Sequence, residues 1–448
     1  MLLACITFPA GGVYGWVWVP AACAVLLLAM RVRPEIAGDH WAGALDAPLL
    51  VTCLTIVVQL VPLPYGTLQR IDPHALPLRV ALWLTSPAAA AAPSHLPISI
   101  LPRDTTAALA IFGAAVLLYW VCRHVCGAGG TGRIMRAIAF IGVVASIAAI
   151  IQRAESKELL YGYWRPRDAG ARPYGPFVNR NHFATWAVMA CPAIFGYLLA
   201  RAPRHREGQL IAQRFVTAAK QLGSIRIWMA VAVCLLTVAT LLSTSRSGLI
   251  AWTGAFGVSS WLSRGRYTPY IRRWKFLQAA LLAVAILSFA NFDALLGRVD
   301  QTIASEPVGR GRPAIWHDAE RLIRDFPLTG TGMGTFGAAI MAYQTAEPGY
   351  TIGQAHNHYL QLAAEGGALV TVPVVLSAIG FMVLFLRRLA EDESGTALIR
   401  SGAAAGLAGA LLQSFWETGL RMPANAMLFA VLAAIATHTP APLDRTAD

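Results

Sequence analysis

Charged side chains are scarce throughout this sequence. Lysine, arginine, aspartate and glutamate make up 13% of its 448 residues, whereas a soluble domain carries about 25%. Long apolar runs take their place, and several approach the roughly 20 residues that a helix needs to cross a bilayer. The runs 231–242 and 369–386 also lack the polar stripe of a surface helix in a soluble protein. The sequence therefore predicts an all-α integral membrane protein.

Features typical of several other protein classes are missing as well. The seven cysteines lie within or beside the apolar runs, so we expect no structural disulfides, and Cys122 and Cys126 have no zinc-site partners nearby. There is no Asp-x-Asp metal motif and no phosphate-binding loop between the spans. The net charge of +13 would raise nucleic acid as a partner of a soluble protein, but here the basic residues cluster between apolar runs. We expect no metal, no cofactor and no nucleic-acid partner.

The apolar runs predict about twelve transmembrane helices and reveal no internal repeat. The N-terminal run lacks a basic region before it, so we interpret it as a first span rather than as a cleaved signal peptide. The predicted spans lie near 1–11, 15–31, 47–63, 105–122, 134–152, 182–200, 227–243, 246–262, 277–291, 368–386, 399–416 and 423–437.

Lysine and arginine between the spans predict the orientation of the chain, because short cytoplasmic loops are enriched in them. A cytoplasmic N-terminus makes the basic loops near 32–46, 123–133, 201–226, 263–276 and 387–398 face the cytoplasm. The long segments on the other side also contain arginines, and the orientation rule does not account for those. Function is one explanation for them.

The largest outward loop, 292–367, contains a short amphipathic helix. The predicted helix Ala314–Phe326 begins after Pro313 and ends before Pro327, both favourable positions for proline. Its apolar face is formed by Ile315, Ala319, Leu322 and Ile323. We expect this helix to lie along the membrane surface.

Two further segments follow in this loop. The glycines between 330 and 337 predict a tight, close-packed turn. A dinucleotide-binding loop is disfavoured because the spacing is wrong and no strand precedes it. Next, His356 and His358 flank Asn357 where the following span begins. A spacing of two suits a metal only on a strand, whereas an imidazole near the membrane surface can act as a general base; a histidine that merely caps or packs is the alternative.

Arginines recur on the predicted outer side around His356. Arg246 lies in the short turn 243–248 between two spans, and Arg421 lies in another short turn. An arginine at a helix end can simply extend its side chain to water. Guanidinium groups also bind phosphate oxygens in pairs. A cationic pocket for a lipid-linked pyrophosphate is therefore predicted from Arg172, Arg180, Arg246, Arg312 and Arg421.

Four sequence blocks carry a family resemblance. They are Gly-Pro-Phe-Val-Asn-Arg-Asn-His at 175–182, Ser-Thr-Ser-Arg-Ser-Gly at 243–248, the stretch 312–336, and His-Asn-His-Tyr-Leu with Glu-Gly at 356–366. Together they resemble O-antigen ligases, O-antigen polymerases and related bacterial oligosaccharyltransferases, over roughly 170–435. The chain accordingly divides into N-terminal transmembrane helices (1–169), a ligase-like core (170–437) that includes loop 292–367, and a cytoplasmic tail (438–448).

The resemblance implies a metal-independent, GT-C-like glycosyltransferase of the bacterial inner membrane, with its site facing the periplasm. Such enzymes pass a glycan from undecaprenyl pyrophosphate to an acceptor hydroxyl, and a single displacement would invert the anomeric carbon. His356 matches the family histidine that activates the acceptor, and Arg246 and Arg312 match the arginines that hold the pyrophosphate. Location adds Arg180 and Arg421 to the pyrophosphate site. His358, Asn357 and Arg172 are candidates for acceptor binding or support, and His358 competes with His356 as the base.

More than one acceptor and more than one class of activity are compatible with the sequence. Lipid A-core oligosaccharide is slightly favoured as the acceptor. A further glycan repeat as acceptor would make the protein an O-antigen or exopolysaccharide polymerase, and a protein side chain is the third possible acceptor.

A transporter of lipid-linked glycans belongs to a different class. The absence of an internal repeat and the concentration of ionisable residues at one face count against it. A scaffold for polysaccharide assembly is the third possibility.

Overall fold

The computed structural model is mostly helical. It describes residues 1–36, 38, 40–82, 84, 94–155, 158–167, 171–201, 224–264, 311–345, 351–392 and 396–439. Within these ranges the α-helices are α1 (Leu2–Thr7), α2 (Gly15–Val32), α3 (His40–Val58), α4 (Tyr65–Ile71), α5 (Ala75–Ala81), α6 (Pro102–Val125), α7 (Thr131–Glu155), α8 (Arg180–Ala200), α9 (Ser224–Leu242), α10 (Arg246–Leu262), α11 (Arg312–Asp325), α12 (Phe336–Ala339), α13 (His358–Glu391), α14 (Thr396–Gln413) and α15 (Pro423–Thr437). Two short strands, β1 (Pro62–Pro64) and β2 (His95–Pro97), pair antiparallel, with Leu63 opposite Leu96.

Helices long and apolar enough to cross a bilayer dominate the described chain. Six segments meet these criteria of length and composition: Gly15–Val32, Trp41–Val58, Pro102–Glu155, Arg180–Ala200, Ile225–Leu242 and His358–Glu391. The segment Pro102–Glu155 contains both α6 and α7, which meet at the irregular turn Cys126–Gly130. An all-α multi-pass membrane protein is thus confirmed, while the number of twelve spans stays a prediction. The predicted span 277–291 lies outside the described residues.

The first predicted span, 1–11, is wrong. Helix α1 has six residues, and at 1.5 Å per residue it is about 9 Å long, far short of a bilayer core of about 30 Å. Gly11 and Gly12 then adopt left-handed conformations, and a Cβ at Gly11 would lie 2.6 Å from the ring of Phe177. The chain therefore turns beside the loop that precedes α8 and starts its first long helix at Gly15.

Helices α8 and α14 form the centre of the bundle. A Cβ added to Gly402 or Gly406 would overlap the carbonyl oxygen of Pro192 or Met189, respectively. Small residues allow transmembrane helices to approach closely in this way. In the apolar stretch of α8, 89% of the residues are buried. One continuous apolar core includes residues from Ile6 to Ala436.

A second, smaller core forms a cap on one end of the bundle. We call residues 62–82, 94–101, 311–345 and 351–357 the cap. Leu78, Ile98 and Leu322 are among the buried side chains that form its core. Arg79 stabilises the cap by donating hydrogen bonds to the carbonyl oxygens of Pro97 (2.6 Å) and Ser99 (3.0 Å). Ala319 and Leu322 of α11 are fully buried there. The cap thus covers the apolar face of this helix, which is not free to contact lipid, and the position of the helix along the membrane surface stays a prediction.

The two ends of the bundle differ in character. At the cap end, the Gln59 side chain beyond α3 donates to the carbonyl oxygens of Thr329 (2.8 Å) and Glu365 (2.9 Å). At the opposite end, buried ion pairs join Arg123 to Asp46 (2.6 Å) and Arg400 to Asp392 (2.7 Å). Helices α8, α10, α13 and α15 all begin at the cap end. The predicted site residues at or near their first turns therefore lie at that end as well.

Candidate active site

The turn between α9 and α10 exposes Arg246. Ser245 caps α10 by accepting a hydrogen bond from the backbone N–H of Gly248 (3.2 Å), as serine commonly does at a helix start. A Cβ at Gly248 would lie 2.6 Å from that of Ala184, so this glycine lets α10 approach α8. Thr244 has a left-handed backbone (φ 52°). These local features leave Arg246 exposed as the first residue of α10.

The loop before α8 brings two more arginines to the same place. The backbone N–H of Arg180 donates to the carbonyl of Arg172 (3.1 Å), which joins the two ends of this loop. Gly175, at φ 58°, packs against Ala149 of α7. The Arg180 guanidinium donates to the hydroxyl of Thr244 (2.7 Å). The sequence blocks 175–182 and 243–248, which are far apart in the chain, therefore meet.

Four guanidinium groups are concentrated around this contact. The charge of Arg180 interacts with those of Arg172, Arg153 and Arg246, and with the carboxylate of Glu417. We call Arg153, Arg172, Arg180 and Arg246 the arginine cluster. Among the residues that the structure describes, no carboxylate lies within 4.0 Å of these four side chains. Three like charges around Arg180 against one more distant carboxylate leave a net positive charge here, which makes the cluster a natural site for an anion.

The sequence prediction missed Arg153. It lies in the last turn of α7, immediately after the predicted span 134–152, and it looked like an ordinary charge at a helix end. Only the folded chain shows that the end of α7 and the loop before α8 meet.

His356 faces a buried carboxylate that the sequence analysis also missed. Its Nδ1 lies 3.8 Å from Oε2 of Glu417, whose side chain is 2% exposed, while the histidine side chain is 36% exposed. The other oxygen of Glu417, Oε1, accepts from Arg312 (2.6 Å) and from the Asn181 amide (2.6 Å). Glu417 is the only acidic residue between Glu393 and Asp444, and its isolation in a short turn was the available sign.

Several hydrogen bonds fix the turn that carries Glu417 against the segment that carries His356. The backbone N–H of His358 donates to the carbonyl of Ser414 (2.8 Å), and the Thr418 hydroxyl donates to the Gln354 side chain. Trp316 donates to the carbonyl of Ala355 (2.9 Å). His356 itself has φ 50°, a conformation that non-glycine residues adopt only when their surroundings enforce it.

The neighbours of His356 have different surroundings. Asn357 caps α13 by accepting hydrogen bonds from the backbone N–H groups of Tyr359 (3.0 Å) and Leu360 (3.1 Å). His358 is the first residue of that helix, and its charged neighbour is Arg421 rather than a carboxylate. Of the two histidines, His356 therefore has the arrangement expected of a base with an acidic partner.

Arg421 reaches the same end of the bundle, but a carboxylate neutralises its charge. Its guanidinium donates to Oε2 of the fully buried Glu365 (2.7 Å). Glu365 also accepts from the backbone N–H groups of Gly334 (2.9 Å) and Phe336 (3.2 Å), and from Gln361 (3.1 Å). Arg421 thus supports the cap, and a direct role with a substrate is weaker for it than for the arginine cluster.

The glycine-rich turn belongs to this support. Gly330 and Gly332 have positive φ values, and a Cβ at Gly332 would lie 2.5 Å from the Ser99 hydroxyl. This is the close-packed turn that the sequence predicted. Within the described ranges, no group of three or more histidine, cysteine, aspartate or glutamate side chains is arranged to hold a metal ion.

Comparison with known protein families places part of this site in a family. Residues 230–375 match the sequence profile of a family described as O-antigen ligase. The matched stretch covers less than half of the chain, but it includes Arg246, Arg312, His356 and Glu365. A search of curated proteins found no significant match. Residues 230–375 are therefore similar to the O-antigen ligase family, and the resemblance predicted from the sequence is confirmed over that stretch.

Proposed function

We propose that this protein transfers a glycan from undecaprenyl pyrophosphate to an acceptor hydroxyl at the periplasmic face of the bacterial inner membrane. One observation carries the proposal. The arginine cluster has no carboxylate within 4.0 Å among the described residues, and the charge of Arg180 interacts with Glu417, the buried carboxylate that faces His356. An anionic leaving group and a general base are the two requirements of such a transfer.

The arginines would hold the donor. Arg246 and Arg180 would contact the pyrophosphate, and Arg172 and Arg153 would add positive charge around it. Arg312 is 40% exposed at its side chain and uses one nitrogen for Glu417, which leaves other N–H groups for a phosphate oxygen. Because these groups are already in position, they would stabilise the charge that develops on the departing pyrophosphate. Arg421 would support the site by stabilising the cap, and Asn357 would support it by fixing the start of α13.

His356 would activate the acceptor. Its imidazole takes the proton of the acceptor hydroxyl while that oxygen bonds to the anomeric carbon. The bond from the anomeric carbon to the pyrophosphate oxygen breaks, and undecaprenyl pyrophosphate leaves with the electron pair. A single displacement inverts the configuration at the anomeric carbon, and no step requires a metal or an organic cofactor.

The basic loops support an inner-membrane location. The described residues at the end opposite the cap include Arg33, Arg123 and Arg388, and the positive-inside rule makes that end cytoplasmic. The cap and the arginine cluster then face the periplasm. We propose the division into 1–169, a catalytic core 170–437 and a cytoplasmic tail 438–448 on the same basis.

Lipid A-core oligosaccharide is the acceptor that we propose, with a growing glycan repeat as the alternative that would make the protein a polymerase. Both products arise from the same chemistry at His356. A transporter of lipid-linked glycans is less well supported, because the ionisable cluster lies at one end of the bundle rather than near the middle of the membrane.

Purified protein, a synthetic undecaprenyl-pyrophosphate glycan and candidate acceptors would test the proposal. We expect release of undecaprenyl pyrophosphate together with transfer to one acceptor, in the presence of a chelator, and loss of both with His356→Ala. Transfer to lipid A core would identify a ligase, and extension of the glycan would identify a polymerase. Movement of the donor across vesicle membranes without any transfer would instead identify a carrier.

A further inference from the structure

Glu417 lies between the two halves of the proposed reaction. Its Oε1 is bound to Arg312, on the side of the donor, and to Asn181. Its Oε2 faces Nδ1 of His356, on the side of the acceptor. One buried carboxylate thus contacts a predicted pyrophosphate ligand and adjoins the predicted base.

The facing atoms of His356 and Glu417 are both unsatisfied. Nδ1 of the histidine and Oε2 of the glutamate are buried, and neither has a hydrogen-bond partner. They are 3.8 Å apart, whereas a hydrogen bond needs about 2.7–3.2 Å. Buried polar atoms in proteins are nearly always paired, so a small rotation that closes this gap would satisfy both.

The remaining contacts make Glu417 a constrained partner rather than a mobile one. Its backbone N–H donates to the carbonyl of Gln413 (3.0 Å), which holds the turn after α14. The Gln413 side chain in turn donates to the carbonyl of Asn181 (3.3 Å). Only the last part of the side chain is free to shift between Arg312 and His356.

Resting on the proposed function, we infer that Glu417 is the positioning residue of the transfer and couples donor binding to the activation of His356. A hydrogen bond from Nδ1–H to Glu417 fixes the tautomer in which Nε2 is the base. Donor phosphate oxygens that bind the remaining N–H groups of Arg312 share its positive charge, weaken its hold on Glu417 and so let the carboxylate approach His356. The hydrogen bond between His356 and Glu417 then forms when the donor is bound.

Several other charged groups surround His356 and Glu417. Arg312 and Asn181 contact Glu417 directly, and Arg180 interacts with its charge from the start of α8. Next to His356, the segment carries His358, whose charged neighbour is Arg421, and Glu365 is bound to Arg421. Among these groups, Glu417 is the carboxylate that adjoins His356.

The test is the pH dependence of transfer with saturating donor, for the wild type and for Glu417→Gln. Glutamine can still accept from Arg312 and Asn181, but it carries no charge to stabilise an imidazolium. Loss of the charge 3.8 Å from Nδ1 makes the protonated imidazole less stable, so the half-maximal rate should move to lower pH by about one unit. We expect kcat at the optimum to fall at least tenfold, with the KM of the donor changed less than threefold.

Two controls separate positioning from folding. Glu417→Asp keeps the charge, so its pH midpoint should stay near that of the wild type even if kcat falls. Glu320→Gln removes an exposed carboxylate of α11 (52% exposed side chain) and should change neither value. A lower rate for Glu417→Gln with an unshifted midpoint would overturn the coupling while leaving the His356 mechanism standing. Absence of transfer by the wild type would count against the proposed function itself.

Discussion

At the scale of single residues, the site distinguishes arginines that are neutralised from arginines that are not. Arg421 and Arg312 each contact a buried carboxylate, whereas the described part of the chain offers no such partner within 4.0 Å of Arg246. The sequence shows five similar arginines on one predicted side. Only the contacts show which of them have charge available for a phosphate group.

Arg246→Lys tests this distinction. Lysine keeps the charge but cannot bind two phosphate oxygens with a planar fork, so we expect the kcat/KM for the lipid-linked donor to fall at least tenfold, about 1.4 kcal/mol. Arg324→Lys is the matched control, because Arg324 is exposed and pairs with Glu320 on the surface of α11 (3.6 Å); it should stay within twofold of the wild type. Equal behaviour of the two variants would remove Arg246 from the pyrophosphate site.

Glu365→Ala should unfold the cap more easily. It would leave Arg421 and the N–H groups of Gly334 and Phe336 without their acceptor. Removing one partner of a buried charge pair costs about 3–5 kcal/mol, which should lower the midpoint of thermal unfolding in detergent clearly. Glu320→Ala, at an exposed carboxylate that pairs with the exposed Arg324, should leave the midpoint nearly unchanged; a similar loss in both would contradict the structural role of Glu365.

The sequence pointed to the histidine and most of the arginines of the candidate site, because those residue types stand out between apolar runs. It did not predict Glu417 or Arg153 as site residues. Their roles depend on a 3.8 Å approach to His356 and on a meeting of α7 with the loop before α8. Such contacts between distant segments leave no periodic pattern in the chain.

At the scale of helices, the apolar runs gave good positions where the helix carries no charge within it. The predicted span 246–262 coincides with α10, and 423–437 coincides with α15. The predicted 47–63 is displaced from α3, which starts at His40. This helix contains Asp46, which is buried against Arg123, and the predicted span began only after this charge because its partner on another helix was unknown.

The contact between α8 and α14 predicts a sharp difference between two glycines. Gly406→Ala should separate the helices, because its Cβ would overlap the Met189 carbonyl, and overpacking of this kind costs about 1–3 kcal/mol. Gly113→Ala in α6 has open space around the new Cβ and should be neutral or slightly stabilising. Thermal unfolding of the two purified variants measures the difference, and equal midpoints would argue against close α8–α14 packing.

At the scale of the whole molecule, α1 changes the predicted orientation of the first residues. A six-residue helix cannot carry Met1 across the membrane. If the loop after α2 is cytoplasmic, as its arginines indicate, then Met1 lies in the half of the bundle that contains the cap. The expected cytoplasmic position of Met1 conflicts with the rest of the topology, whereas the side assigned to the arginine cluster does not depend on α1.

Single cysteines at the two ends of the bundle test this topology in intact cells. Tyr163 is 75% exposed in the loop before α8, and Ala128 is exposed in the turn between α6 and α7, at the opposite end. With the cap in the periplasm, a membrane-impermeant maleimide should label Tyr163→Cys in cells that have a permeable outer membrane. It should label Ala128→Cys only after the inner membrane is opened, and the parent protein with its seven cysteines sets the background. The reverse pattern would put the arginine cluster in the cytoplasm, where a periplasmic acceptor could not reach His356.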